Sequence, residues 1–279
     1  MSNRGPFIFL DSGAYSAFTK KVEIKIDEYI EFIKKNSEYV RWYSNLDVIG
    51  DPDESIKNQK YMESKGLKPL PCYHYGEPPE YLLNYLSKGY DYICIGGMVP
   101  VPTVSLITWL DLLWNTYLVD KNGMPKVKVH GFGMTSLEII FRYPWYSVDS
   151  TSWVLTSRFG SVFVPVRVKR GKYSYKETAL KVCVSSKSPS KRDEGKHILT
   201  FSPMERDLIL EYFDYKGFKL GKSKYGKDGT EVIIEQGLSN DYKQRDELNI
   251  IYFLDLEKSL PKWPWPLNPS DRAKRGFDI

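Results

Sequence analysis

The first 153 residues repeat one unit, a short apolar run ending in small or polar residues and followed by a stretch with helical spacing. The runs are PFIFLDSG at 6–13, YVRWYSNLDVIGD at 39–51, LKPLPCYHYGE at 67–77, YDYICIGGMVP at 90–100, VKVHGFG at 127–133 and WYSVDSTSW at 145–153. Between them the spacing predicts helices over 26–36, 53–65, 79–88, 103–119 and 135–142. Runs that are apolar almost throughout suit parallel strands buried on both faces, so the alternation restricts this part to an α/β sheet or barrel. Polar residues gather at the strand ends: Asp11, Asp47 and Asp51, His74 and Glu77, Gly96 and Gly97, His130 and Gly133, Asp149. A (β/α) barrel builds its site from several strand ends around a ring, whereas a doubly wound sheet binds at one switch point. The spread over six runs favours a TIM-type barrel.

After residue 153 the rhythm changes. SVFVPVRV at 161–168 and a run over 173–185 flank KRGK at 169–172, which predicts a β-hairpin with a basic turn. SSKSPSKRDEGK at 185–196 is a polar loop. Ser202-Pro203-Met204-Glu205 carries an N-cap, a proline at the first helical position and a capping-box glutamate, so a helix should start there and stop near Gly217. A lysine-rich loop, GKSKYGKDG at 221–229, leads to a helix predicted over 240–259, and a tail containing WPW follows.

Charge divides along the same line. Residues 1–153 hold 16 Lys and Arg against 18 Asp and Glu; the remainder hold 24 against 17, so the net +5 comes wholly from the back part. A neutral front and a basic back suit chemistry in front and a polyanion held behind, although a solvated lysine surface has the same composition. No apolar run reaches the roughly 18 residues of a membrane span, and the first residues lack a signal-peptide layout, so a cytoplasmic protein without a membrane partner is expected. Three scattered cysteines, Cys72, Cys94 and Cys183, support neither a disulfide framework nor a cysteine-rich zinc site, and the three histidines are too dispersed for a metal centre. Neither metal nor cofactor is expected.

Asp149 is followed by Ser150, Thr151 and Ser152, whose hydroxyls can hold an ionised carboxylate ready as a nucleophile; the same string also makes a turn or helix cap. Asp11, in LDSGAYSAF, carries the same two readings. Two aspartates at strand ends of one barrel can face one pocket, and a carboxylate pair is the minimum equipment for displacement at a sugar anomeric carbon. His74 reads either as a structural histidine or as a donor to a planar ligand. Gly96 and Gly97 mark either a bulge or a close approach of backbone and ligand.

Several of these motifs together resemble the tRNA-guanine transglycosylases, and more closely their phage-type relatives, the 7-deazaguanine DNA transglycosylases. LDSGAYSAF at 10–18 is similar to the family's Asp-Ser-Gly-Gly-Phe segment, IGGM at 95–98 to its Gly-Gly-Leu, VHGFGMTSLE at 129–138 to its Gly-Val-Gly-Thr, and VDST at 148–151 to the Phe-Asp-Cys that carries the nucleophile. The order and spacing match across about 10–153. The resemblance implies Asp149 as nucleophile on the anomeric carbon of guanosine, Asp11 as general acid and base, and a base site of Asp47, His74, Gly96, Gly97 and Met98. It implies exchange of guanine for a free 7-deazaguanine of the preQ0 type, in the host cytoplasm if phage-encoded. The zinc site of the tRNA enzymes needs three cysteines and a histidine, and only Cys183 follows residue 94, which favours DNA over tRNA as the substrate. A catalytically silent nucleic-acid-binding barrel and an N-glycoside hydrolase are the other readings. The chain begins almost at the Asp11 strand, so the barrel is expected to be incomplete or modified. It is assigned to 1–184, with 185–279 as a basic α+β extension that completes it and binds nucleic acid. The expected contacts are Lys169, Arg170, Lys172, Lys191, Arg192, Lys222 and Lys224, with the WPW tail. Oligomeric state is not legible in the sequence.

Overall fold

Strand β1 (Ile8–Leu10) lies parallel to β2 (Val40–Tyr43), and β3 (Cys72–His74), β4 (Tyr92–Gly96), β5 (Lys128–Gly131) and β6 (Ser147–Val148) form a second parallel set in sequence order. A parallel bridge between Ser44 and Leu70 joins the end of β2 to the approach of β3. The fold is mixed α/β with parallel strands, described over residues 7–134, 136–188 and 193–267 of a computed structural model. Helices α1 (Ala14–Lys20), α2 (Ile26–Lys35), α3 (Pro52–Ser64), α4 (Pro79–Ser87), α5 (Thr103–Leu113, continued as a π-helical turn Trp114–Leu118) and α6 (Leu137–Arg142) lie between the strands. Every residue of β4 is buried, as its apolar run requires. Helix α1 was not expected; it follows Gly13, whose φ of 77° turns the chain from β1 into the helix.

The six strands do not lie flat. β1 and β5 are four strand positions apart, which in a flat sheet separates them by about 19 Å at the usual 4.8 Å spacing. Yet the Phe9 ring of β1 stacks on His130 of β5 with centroids 4.1 Å apart and planes 17° apart. The strand order is therefore curled, with Phe9, Trp42, Phe132 and Tyr146 packed around Leu70, Cys72, Tyr92 and Cys94 inside the curl. Among the described residues no strand pairing runs from β6 back to β1. All three cysteines are free and buried.

The chain divides into two compact units, Met1–Asp149 with Trp263–Ile279, and Ser150–Lys262. The division differs from the expected boundary at 184 because the strands of 161–183 pair with one another. In the second unit β7 (Ser161–Val164) is antiparallel to β10 (Leu180–Cys183), and β8 (Val166–Lys169) is antiparallel to β9 (Lys172–Ser174) across the expected basic turn. Helix α7 (Ser152–Arg158) precedes them, so the run at 145–153 is a strand over two residues only. Helix α8 (Pro203–Tyr215) starts at the expected capping box, with Ser202 and Glu205 exchanging hydrogen bonds. The expected loop at 221–229 is half strand: β11 (Lys222–Tyr225) pairs with β12 (Glu231–Glu235). Helix α9 (Tyr242–Ser259) falls where the sequence predicts it. Val162, Val164, Val182, Ile209, Phe213 and Leu248 are central to this unit's core.

Asn249 of α9 ties that core together. Fully buried, it accepts the Phe163 N–H at 3.0 Å and donates to the carbonyls of Trp153 at 3.1 Å and Ser161 at 3.3 Å. Asn249→Ala strands these buried backbone groups, so urea denaturation should show a loss of about 2–3 kcal/mol.

Candidate functional site

The expected strand-end residues fall into two groups. In the first, Asp11 follows β1 and its Oδ1 accepts the Gly13 N–H at 3.3 Å. Ser12 binds the neighbouring loop twice, through its N–H to Ser44 Oγ at 2.9 Å and its hydroxyl to Asp47 Oδ1 at 3.3 Å. The other Asp47 oxygen meets His74 Nε2 at 2.8 Å, and His74 Nδ1 meets Glu77 Oε1 at 3.1 Å. Glu77 also accepts the His74 backbone N–H at 3.0 Å. Burial by itself would hold this imidazole neutral, but the hydrogen bonds to Asp47 and Glu77 outweigh it and raise its pKa to about 10. His74 is an imidazolium clamped between two carboxylates.

This clamp explains the glycine pair. A Cβ at Gly96 would lie 2.8 Å from His74 Cδ2, and one at Gly97, where φ is 68°, would lie 3.0 Å from the Tyr75 amide nitrogen. The close approach marked by these glycines is made by the chain's own 74–75 segment. Met98 is buried just beyond them. Asp51 is the N-cap of α3, accepting the Glu54 N–H at 3.0 Å.

The second group lies around a cleft of about 200 Å³. Asp11 and Asp149 both line it, with Phe9, Trp42, Tyr92 and Phe132 among the rings that form its walls. Asp149 follows β6, and its Oδ1 accepts the Gly133 N–H at 2.7 Å. His130 Nε2 stands 3.7 Å from the same oxygen. Both carboxyls are pushed above the ordinary aspartate value. For Asp11, solvent-exposed on one side, partial enclosure by the cleft raises the pKa, the Gly13 N–H opposes it, and the charges of Asp47 and Asp149 raise it further. For Asp149, whose side chain is 46% exposed, partial enclosure by the cleft raises it while the Gly133 N–H opposes. The fold thus brings the two expected catalytic aspartates to one cleft, whose walls do not include Asp47 or His74.

Sequence reasoning assigned no role to Tyr92 or Ser147, and noted His130 and Glu77 without giving either one. Ser147 stands beside His130 only through the β5–β6 register, which no linear motif encodes. Trp263 of the WPW tail, expected at nucleic acid, donates from Nε1 to Pro144 O at 3.2 Å and packs its ring against Tyr146, a wall of the cleft. In the second unit Lys169, Arg170, Lys172, Lys222 and Lys224 are exposed on the two hairpins and form no ion pair among the described residues. Lys191 and Arg192 lie outside the described residues. Among the described residues no group of His, Cys, Asp and Glu is arranged to hold a metal ion, and no helix is long and apolar enough to cross a membrane.

The clamp has a pH signature. His74 has a folded pKa above its unfolded value of about 6.5, so its stabilising contribution is complete below that pH and is lost as pH rises through about 10. Denaturation at a series of pH values should show stability falling between these limits, with a flatter curve in Asp47→Asn. Histidine NMR should show the His74 titration in Asp47→Asn at least about one unit lower. No protein-family model matches the chain, and no curated protein matches it.

Proposed function

We propose that the protein is a guanine transglycosylase that exchanges guanine in DNA for a 7-deazaguanine base. One observation carries this reading: two carboxyls with raised pKa values, Asp11 and Asp149, share an aromatic-walled cleft at the ends of parallel strands. The curl of β1–β6 supports a modified TIM-type barrel as its frame, with strand ends facing inward.

In this mechanism the Asp149 carboxylate attacks C1′ of the target nucleotide while Asp11, in its protonated form, delivers a proton to the departing guanine. The C1′–N bond breaks as the C1′–O bond to Asp149 forms, giving a covalent glycosyl ester. The incoming 7-deazaguanine loses its ring N–H proton to Asp11, attacks C1′ and returns the electron pair to Asp149. Two inversions preserve the configuration, and no external energy is needed because one glycosidic bond replaces another. A raised pKa suits Asp11, which must give and take a proton within one cycle. The aromatic walls suit a planar base extruded from its stack.

His74 changes its expected part. With both ring nitrogens on carboxylates, it holds Asp47, the residue proposed for the base edge, in place behind the cleft, and Gly96 and Gly97 make room for the His74–Tyr75 segment. The second unit supplies the basic hairpins for phosphate contacts, Lys169, Arg170 and Lys172 on one and Lys222 and Lys224 on the other.

The test is incubation with labelled guanine and either guanine-containing DNA or tRNA, followed by denaturing electrophoresis. Wild type should give a denaturant-resistant adduct with DNA, and Asp149→Asn none. Asp11→Asn should slow guanine exchange by roughly 10²–10⁴-fold. An adduct that survives in Asp149→Asn removes Asp149 as nucleophile, and label entering tRNA alone moves the substrate to tRNA.

A further inference from the structure

His130 occupies an unusual position for a buried histidine. Its side chain is 3% exposed, yet Nε2 has no hydrogen-bond partner. The other ring nitrogen is engaged: Nδ1 lies 2.6 Å from Ser147 Oγ, which lies 2.6 Å from the Tyr92 hydroxyl. Phe9 stacks on one face of the ring and Phe132 meets it edge to face at 4.6 Å, so the imidazole cannot turn to give Nε2 another neighbour. The acceptor placed opposite Nε2 is Asp149 Oδ1 at 3.7 Å, a separation of the kind that tightens when an active site is filled.

Burial holds this ring neutral, with a pKa lowered to about 3, so it carries one proton. A proton on Nδ1 would set the Nε2 lone pair against an anionic carboxylate. A proton on Nε2 turns the same contact attractive and leaves Nδ1 to accept from Ser147, which accepts in turn from Tyr92. Every hydrogen of the chain then points towards Asp149. The titratable groups around the ring are Tyr92 from β4, Tyr146 and Asp149 flanking β6, and Asp11 after β1; Phe9 and Phe132 carry no charge.

We propose that His130 is a positioning residue for Asp149, donating from Nε2–H to its carboxylate and held in that tautomer by Ser147 and Tyr92. The inference rests on the reading of Asp149 as nucleophile. The donor opposes the upward pull of the cleft on the Asp149 carboxyl and meets the charge that returns to it when the glycosyl ester breaks. This deepens the two-aspartate mechanism by giving the nucleophile a tuned acidity.

The test is the carboxyl titration of Asp149 in the intact protein by 13C NMR, its signal assigned by loss in Asp149→Asn. His130→Phe, which keeps the stacking and removes the donor, should raise the Asp149 pKa by about one unit. His130→Gln, which restores an N–H, should stay close to wild type, and Ser147→Ala should shift it upward. An unchanged value in His130→Phe, or equal shifts in the Phe and Gln variants, overturns the proposal. If His130→Phe does not fold, Ser147→Ala decides, and an unchanged titration there overturns it. The acid limb of adduct formation should move with the same sign. Wild-type protein that forms no adduct with DNA or tRNA overturns the transglycosylase reading, while the titration still decides the role of His130.

Discussion

Phe9 stacked on His130 is the contact that the rest of the first unit depends on. A parallel sheet with helices between its strands can lie open or curl, and only a curl lets side chains of β1 and β5 touch. Large rings at Phe9, Trp42, Tyr92 and Tyr146 fill the resulting interior. With the interior filled, the strand ends are held around one opening, and Asp11 and Asp149 reach the same cleft although 138 positions separate them in the chain.

Within that frame the two histidines of the first unit take opposite electrostatic states for a physical reason. His74 meets carboxylates at both ring nitrogens, and their hydrogen bonds overcome its burial. His130 meets a hydroxyl at one nitrogen and aromatic rings on its faces, so burial dominates and the ring stays neutral. A cation and a neutral donor at two strand ends are different tools. The first locks a loop carboxylate in place; the second stands 3.7 Å from the Asp149 carboxylate without placing a charge beside it.

The basic half of the chain gains a structural meaning too. The positive turns at Lys169–Lys172 and along Lys222–Tyr225 are hairpin surfaces in a unit with its own core, anchored by Asn249. The boundary falls at Asp149, so the residue proposed as nucleophile ends one unit and the next residue opens the other.

By itself the sequence determined what depends on neighbours along the chain. Helical spacing placed α2–α6 to within about two residues, each apolar run contains one of the shorter strands β1–β6, and the Ser202–Glu205 box fixed the start of α8. Asp11 and Asp149 were legible as strand-end carboxylates. Short or polar elements were not legible, because Ala14–Lys20 lacks a long apolar face and Lys222–Tyr225 has no apolar alternation and pairs only because β12 offers a β-branched partner. What the tertiary structure alone decided is which side chains share a hydrogen bond. Asp47 with His74, and His130 with Ser147 and Tyr92, meet through loop packing and strand register. Such contacts span tens of residues, and their energies depend on burial and orientation that appear only once the sheet has curled.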